Sequence, residues 1–292
     1  MADSDRSADL TTLRRGLQVL ELLRSANPTS SLWSNQQISD SLGLSKSLVS
    51  RTLKVLVELG FVERSPDGRT FAPGLRTYPI GARSVDQDLL RAGATAVPEG
   101  VRLTQARVYL SVRNGMEAMT LWSDQPVSAR PRVHSIGTTF PLGVSEAGRA
   151  LLIASTDVDI STVADEMRRI GIGHADQLAD QIARDRRSGF SWRRAEESGI
   201  AVPVRSSTGG GVIGALGAAS ASLSTREVAE STARLLVSAA ENLARRLVAA
   251  SQSAAAPPLP FSGWPQMPTD MFPAPAPAPA HRDDAFPEFL GE

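Results

Sequence analysis

The polar side chains with the clearest chemical potential lie in one short segment, residues 45–54. This segment contains Lys46 and Lys54, the two lysines of the 292-residue chain. Apolar residues recur at helical spacing through and just beyond it and predict a buried face: Leu48, Val49, Thr52, Leu53, Leu56 and Leu59. Hydroxyl, guanidinium and ammonium groups on the opposite face suit contacts to base edges and to phosphate. The segment is therefore a candidate DNA-recognition helix.

Two helix-capping patterns predict that this helix is the second helix of a helix-turn-helix. Ser34, with Gln37 three residues later, is typical of a capping box that opens a short helix, and Gly43 ends that helix. Ser45 then caps the second helix, and Gly60 follows its end. A helix-turn-helix places its second helix in the major groove of DNA. An ordinary helical bundle with a solvated polar face is the alternative.

A predicted hairpin directly behind the second helix favours DNA binding over that alternative. Residues 61–64 and 69–71 flank a turn with Pro66 second and Gly68 fourth, which suits a type I turn. The hairpin would be a wing with Arg64 and Arg69 at its base. We expect Arg51, Ser47 and Ser50 to read bases and Lys46 and Lys54 to contact phosphate. The predicted DNA contacts are Ser45, Lys46, Ser47, Ser50, Arg51, Lys54, Arg64 and Arg69.

Composition limits the other classes of function. A length of 292 residues with 41% hydrophobic content fits two domains, and the formal net charge is zero. Attraction to nucleic acid must then come from a local patch, and between residues 10 and 83 basic residues outnumber acidic ones about two to one. The absence of cysteine excludes disulfides and thiolate-bound zinc. No signal peptide or membrane span is expected, so we predict a cytoplasmic, nucleoid-associated protein without membrane contact.

The remaining elements predict an α+β protein of two domains with a tail. Helices are expected at residues 12–25, 145–154, 175–188 and 224–250, and hairpins at 107–122 and 200–218. A linker helix over 75–95 would be kinked or delayed by Pro79. The predicted boundaries are a winged helix-turn-helix at 10–74, the linker at 75–95, an α+β sensor domain at 96–250 and a disordered Pro-rich tail at 251–292.

Catalytic chemistry is not expected. The glycines at 209–214 match a dinucleotide fingerprint in form, but they precede an apolar strand pattern and are better explained as a hairpin turn. His134, His174 and His281 are scattered, and no nucleophile and base pair up in the sequence. We therefore predict no enzyme activity, no catalytic residue, no metal site and no cofactor.

A small-molecule site could form around Ser145 and Glu146. Free backbone donors at the start of their helix favour an anion, but Glu146 would itself satisfy that positive end. This arrangement argues for a neutral or cationic ligand, although the two residues could simply cap the helix. Trp122 and Trp192 could supply apolar walls, with burial in the core as the alternative.

The sequence closely resembles IclR-type bacterial transcriptional regulators. In the first half the resemblance rests on LRRGLQVLELL at 13–23, QISDSLGLSKSLVSR at 37–51 and LVELGFVER at 56–64. In the second half it rests on GTTFPL at 137–142, AGRALL at 147–152, RRSGF at 186–190 and PV at 203–204. The resemblance covers about residues 10–250. It implies a GAF-like effector-binding domain, dimers or dimers of dimers, and control by a small molecule, often an organic acid.

Two departures from the family pattern fall on positions that line the family's pocket. Gly143 follows Leu142 where the family usually has a polar residue, and residues 199–203 are several residues short and lack a usual cysteine. Either the effector differs from the usual acids or the pocket is degenerate. The candidate effector residues are Trp122, Leu142, Gly143, Ser145, Glu146 and Trp192.

The sequence thus predicts a DNA-binding transcriptional regulator. It would bind a palindromic double-stranded operator as a homodimer or dimer of dimers and respond to a small-molecule effector of unknown identity. An alternative is an effector-independent regulator that recruits a partner through its Pro-rich tail.

Overall fold

The N-terminal part of the computed structural model packs three helices against a small sheet. The structure describes residues 2–24, 32–127, 136–206 and 210–252. The elements of this part are α1 (Ala2–Arg24), β1 (Trp33–Ser34), α2 (Asn35–Leu42), α3 (Lys46–Glu58), β2 (Val62–Arg64) and β3 (Thr70–Pro73). The strands form an antiparallel sheet in the order β1-β3-β2. Its core contains Val19, Leu23, Trp33, Ile38, Val49, Leu53, Leu56, Val62 and Phe71.

Local sequence signals explain these elements. Ser34 and Gln37 form the predicted capping box, and Gly43 ends α2 in the left-handed conformation with φ of 64°. The side chain of Ser45 accepts a hydrogen bond from the Leu48 N–H and so caps α3. The helix-turn-helix prediction is confirmed, and α1 begins ten residues before the expected position at Thr12.

The segment predicted as one linker helix, kinked or delayed by Pro79, forms two helices. The structure has α4 (Thr77–Ser84) and α5 (Gln87–Thr104), separated by Val85 in an extended conformation. Asp86 starts α5, because its carboxylate accepts hydrogen bonds from the backbone N–H groups of Asp88 and Leu89. Pro79 lies in the first turn of α4, where a missing backbone donor removes no hydrogen bond. α5 already belongs to the core of the C-terminal part.

The C-terminal part is an antiparallel sheet with helices on both faces. Its strands are β4 (Arg107–Asn114), β5 (Glu117–Asp124), β6 (Thr139–Pro141), β7 (Ser191–Arg193), β8 (Ser198–Arg205) and β9 (Val212–Ser220). Their order is β6-β5-β4-β9-β8-β7. The remaining helices are α6 (Glu146–Leu152), α7 (Asp157–Arg169), α8 (Leu178–Ser188) and α9 (Arg226–Gln252). The predicted α+β class is confirmed.

Each face of this sheet has its own apolar core. α5 and α9 cover one face, and α6, α7 and α8 cover the other. Both predicted hairpins are present, although Asn114 pairs with Glu117, which makes Gly115 and Met116 the first loop. α7 was not predicted. Residues 207–209, within the second hairpin's turn, and the Pro-rich segment after 252 lie outside the described residues.

Candidate DNA interface and effector site

The predicted recognition face lies on the surface of α3. Ser45 and the five polar residues beyond it are exposed, whereas Val49 and Leu53 beneath them are buried. Those five residues are Lys46, Ser47, Ser50, Arg51 and Lys54. Lys54 has a long contact of 3.9 Å to Glu58, and its side chain is 76% exposed. The face therefore presents basic and hydroxyl groups to solvent, as contact with a nucleic acid requires.

The wing carries two further exposed arginines. Arg64 lies on β2, with its guanidinium carbon 5.4 Å from the centre of the Phe71 ring. Arg69 lies in the loop between β2 and β3 rather than at the base of the wing as expected. The backbone of Gly68 donates to the Ser65 carbonyl at 2.8 Å, which confirms the predicted turn.

An ionised carboxylate organises the tip of the wing. Asp67 accepts hydrogen bonds from the Ser65 hydroxyl at 2.5 Å and from the Arg69 backbone at 3.0 Å. These two hydrogen bonds hold the pKa of Asp67 below its ordinary value. The loop that carries Arg69 is therefore fixed by its own side chains.

An apolar groove of about 910 Å³ runs beside the recognition face, between α1, α3 and α4. Exposed apolar side chains line it: Leu13, Leu17, Val55, Leu59 and Ile80. The sequence predicted a buried Leu59, but 49% of it is exposed in the single chain. Leu13 and Leu17 are also more than half exposed, so α1 has a second apolar face besides the one in the core. Arg51 borders the groove as well.

Four of the candidate effector residues come together where β6 runs into α6. Leu142, Ser145 and Glu146 are buried, and the Ser145 hydroxyl caps α6 by accepting from the Gly148 N–H at 3.0 Å. Gly143 packs so closely against Met167 that an added Cβ would lie 2.1 Å from its sulfur. A side chain at position 143 would thus require the Met167 side chain to move.

Glu146 is the centre of a charged cluster. Its side chain is fully buried and accepts hydrogen bonds from the Tyr109 hydroxyl and, at 2.7 Å, from Nε of Arg193. An added Cβ at Gly199 would lie 2.3 Å from the Glu146 Oε1, so this glycine makes room for the carboxylate. Burial and the neighbouring Glu146 charge raise the pKa of Tyr109 well above its ordinary value. Tyr109 therefore stays neutral, and its hydroxyl donates a hydrogen bond to the carboxylate.

The two candidate tryptophans do not line this cluster, which corrects their place among the candidate effector residues and supports the stated alternative, packing against the core. Trp122 and Trp192 pack against the core on the α5 and α9 face of the sheet, and the Trp192 indole donates to the Leu223 carbonyl at 3.0 Å. Side chains alternate along a strand, so Trp192 points away from the face that Arg193 occupies. A bulge between β4 and β5 next to Leu110 shifts the alternation near Trp122.

A second buried ion pair lies nearby. Nε of Arg149 is 3.0 Å from Asp185, and the same guanidinium donates to the Trp192 carbonyl at 2.8 Å. Burial raises the pKa of Asp185, and the Arg149 charge opposes that rise. Tyr109, Arg193 and this pair were not found from the sequence, because each partner lies more than 30 positions away.

The described part of the chain contains no group of three or more His, Asp or Glu side chains arranged to hold a metal ion. Among the helices described, none is long and apolar enough to cross a membrane.

The fold and these sites define a winged-helix DNA-binding protein with a second, α+β domain of the sensor type. The model for the IclR helix-turn-helix domain matches residues 12–66, and the model for the C-terminal domain of bacterial transcriptional regulator IclR matches residues 85–247. The chain belongs to the IclR family. It is accordingly a DNA-binding transcriptional regulator rather than an enzyme.

Curated relatives include transcriptional repressors named AllR. The AllR protein of Salmonella typhi is 29% identical over 149 residues, which cover 51% of this chain and 54% of the relative. The AllR protein of Escherichia coli K12 is 28% identical over 152 residues, which cover 52% and 55%. The chain thus aligns with about half the length of these relatives.

Solved structures share the fold over most of the chain. An IclR homologue from Microbacterium hydrocarbonoxydans, in complex with 4-hydroxybenzoate, has a TM-score of 0.67 at 24% identity and covers 82% of this chain and 99% of its own. An IclR-type regulator from Alicyclobacillus acidocaldarius has a TM-score of 0.65 at 20% identity, with coverages of 81% and 98%.

Proposed function

We propose that this chain binds a palindromic operator as a dimer, or as a dimer of dimers, and that a small molecule in the C-terminal domain controls the binding. The exposed polar face of α3 carries the proposal. Its hydroxyl and basic groups project outward, while the opposite face of the same helix is held in the core. Arg51 would read a base pair in the major groove, and Lys46 and Lys54 would hold phosphates.

The apolar groove supports dimerisation through the N-terminal part. Leu13, Leu17 and Ile80 each expose more than half of their surface there. Contiguous exposed apolar surface marks an interaction site, and a second copy brings the same leucines to a two-fold axis. Such a dimer would present two α3 helices to half-sites about one helical turn, or roughly 34 Å, apart.

Control by an effector is supported by the family's C-terminal domain and by a relative whose structure holds an aromatic acid. A ligand can shift DNA affinity only if it binds the two arrangements of the dimer unequally. The Glu146 cluster is our candidate for the ligand site in this chain.

Selection of operators from random double-stranded DNA tests the proposal. We expect an enriched inverted repeat with half-site centres about 10 base pairs, or one helical turn, apart. In fluorescence anisotropy titrations, Lys54→Ala should lower affinity for all sequences and reduce the salt dependence by about one unit of log K per log salt. No enriched sequence, or enriched sites without two-fold symmetry, would contradict the proposal.

A further inference from the structure

We propose that Glu146 and Tyr109 form a receptor for a cationic group, an amine or a guanidinium, and that Arg193 fills this receptor in the unliganded protein. The inference rests on the proposed effector control and names the chemical class of the effector. A cation would enter by displacing the Arg193 guanidinium from the Glu146 carboxylate.

Glu146 is the fixed partner of the pair. No part of it is exposed, the Tyr109 hydroxyl donates to it, and the backbone at Gly199 approaches it without room for a side chain. An ionised carboxylate in such a place is costly unless a cation stays beside it. A group that replaces Arg193 preserves the present charge balance only if it is itself a cation.

Arg193 is the exchangeable partner. It lies on β7, a three-residue strand at the edge of the sheet, and a third of its side chain is exposed. Its contact with the Glu197 carbonyl is long, at 3.4 Å, and residues 194–196 beyond it are exposed. A long side chain in this position can withdraw into solvent, where its charge is hydrated. The carboxylate cannot do the same.

Charge decides between ligand classes at this site. A cation replaces Arg193 in kind and leaves the buried charge balanced. An anion that drew Arg193 away would remove a positive charge from beside the buried Glu146, and the neighbouring Glu197 adds a second negative charge. The site thus selects against the organic acids that the family resemblance suggests. Release of Arg193 would also free the segment between β7 and β8, which gives ligand binding a structural consequence.

Calorimetric titration of the full-length protein tests the inference with a matched pair of probes. n-Propylguanidinium reproduces the arginine side chain, and butyrate has the same alkyl chain with a carboxylate. We expect saturable binding and a raised Tm with n-propylguanidinium, and neither with butyrate. Binding of butyrate, or no binding of n-propylguanidinium, would overturn the inference.

Three variants locate the binding. Arg193→Ala removes the internal competitor and should tighten n-propylguanidinium binding about tenfold or more, because the site no longer has to be vacated first. Glu146→Gln should abolish binding, and Arg194→Ala, next to Arg193 but pointing to the Trp192 ring, should leave it unchanged. Equal affinity in Arg193→Ala and wild type would overturn the inference even if Glu146→Gln does not fold.

Operator titration of the same wild-type sample separates the two proposals. Retained operator binding without cation binding refutes the cationic receptor alone. Absence of specific operator binding by the wild-type protein would refute the proposed function.

Discussion

The two halves of the molecule hold their charges in opposite places. In the N-terminal half the cations of α3 and the wing are exposed, and their positions depend on caps made three residues away, such as Ser34 with Gln37 and Ser45 with Leu48. In the C-terminal half Glu146 and Asp185 are buried and paired with arginines 47 and 36 positions distant. One half offers charge to a partner, and the other neutralises its charge internally.

This difference indicates how each half responds to change. An exposed cation can be removed at little cost to the fold, so its loss should alter binding. Removal of one partner of a buried ion pair destabilises the fold, because the other charge stays buried alone. An external ion of the same charge can instead take that partner's place and release its side chain. The following predictions test that division.

The largest effect is expected from Arg149→Met. The substitution leaves Asp185 buried without its cation and should lower the free energy of unfolding by about 3–5 kcal/mol. Urea unfolding followed by circular dichroism at pH 7 measures it. Arg168→Met, which removes an exposed ion pair with Asp165 within α7 and another with Asp176 beyond it, should leave the urea midpoint unchanged. A loss below about 1 kcal/mol for Arg149→Met would show that the pair behaves like a surface pair.

The second-largest effect is expected on dimerisation, from a substitution in the exposed apolar groove. Leu17→Asp places a charge on a leucine that is 56% exposed in the single chain. Loss of its burial in both copies should weaken the dimer by about 2–3 kcal/mol, or roughly 30- to 150-fold. Sedimentation equilibrium measures the dimer constant. Val158→Asp, an exposed apolar position outside the groove, is the control. An unchanged constant for Leu17→Asp would move the interface elsewhere.

Removal of a helix cap in the N-terminal half should cost less stability. Ser45→Ala removes the side-chain acceptor for the Leu48 N–H and should cost about 1 kcal/mol of stability. Thermal unfolding measures it, with Ser50→Ala on the exposed face of the same helix as the control. A cost as large as that of Arg149→Met would contradict the contrast between the two halves.

The smallest effect concerns a partly exposed ion pair and its dependence on pH. Arg113 holds Asp159 through two hydrogen bonds of 2.6 and 2.8 Å, which lower the pKa of Asp159 below its ordinary 3.8. The carboxylate therefore stabilises the fold above pH 3.8, and this contribution is lost as the pH falls through the lowered pKa. Asp159→Asn should cost roughly 0.5–1 kcal/mol at pH 7. Urea titrations should show a smaller difference in free energy of unfolding between wild type and Asp159→Asn at pH 3 than at pH 7. An equal difference at both pH values would contradict the assigned role of the Asp159 charge.

The extent to which the sequence predicts each half follows from the same contrast. The caps at Ser34 and Ser45 and the turn at Gly68 involve residues three apart, so their patterns are visible in the chain. The contacts of Glu146 with Tyr109 and Arg193 depend on how two distant strands and a helix meet, and no local spacing encodes them. The exposure of Leu59 was missed because periodicity identifies an apolar face without saying which surface covers it.

The central claim is that the exposed face of α3 reads DNA, and titration of a selected operator with Arg51→Ala tests it most directly. Fluorescence anisotropy should show a loss of about 1–3 kcal/mol, or roughly 5- to 150-fold, with relaxed preference at one base pair of each half-site. Arg102→Ala, an exposed arginine on α5, should bind like wild type. Arg51 also borders the groove, so sedimentation must show that the variant remains as dimeric as wild type. Unchanged affinity and sequence preference in Arg51→Ala would contradict the account.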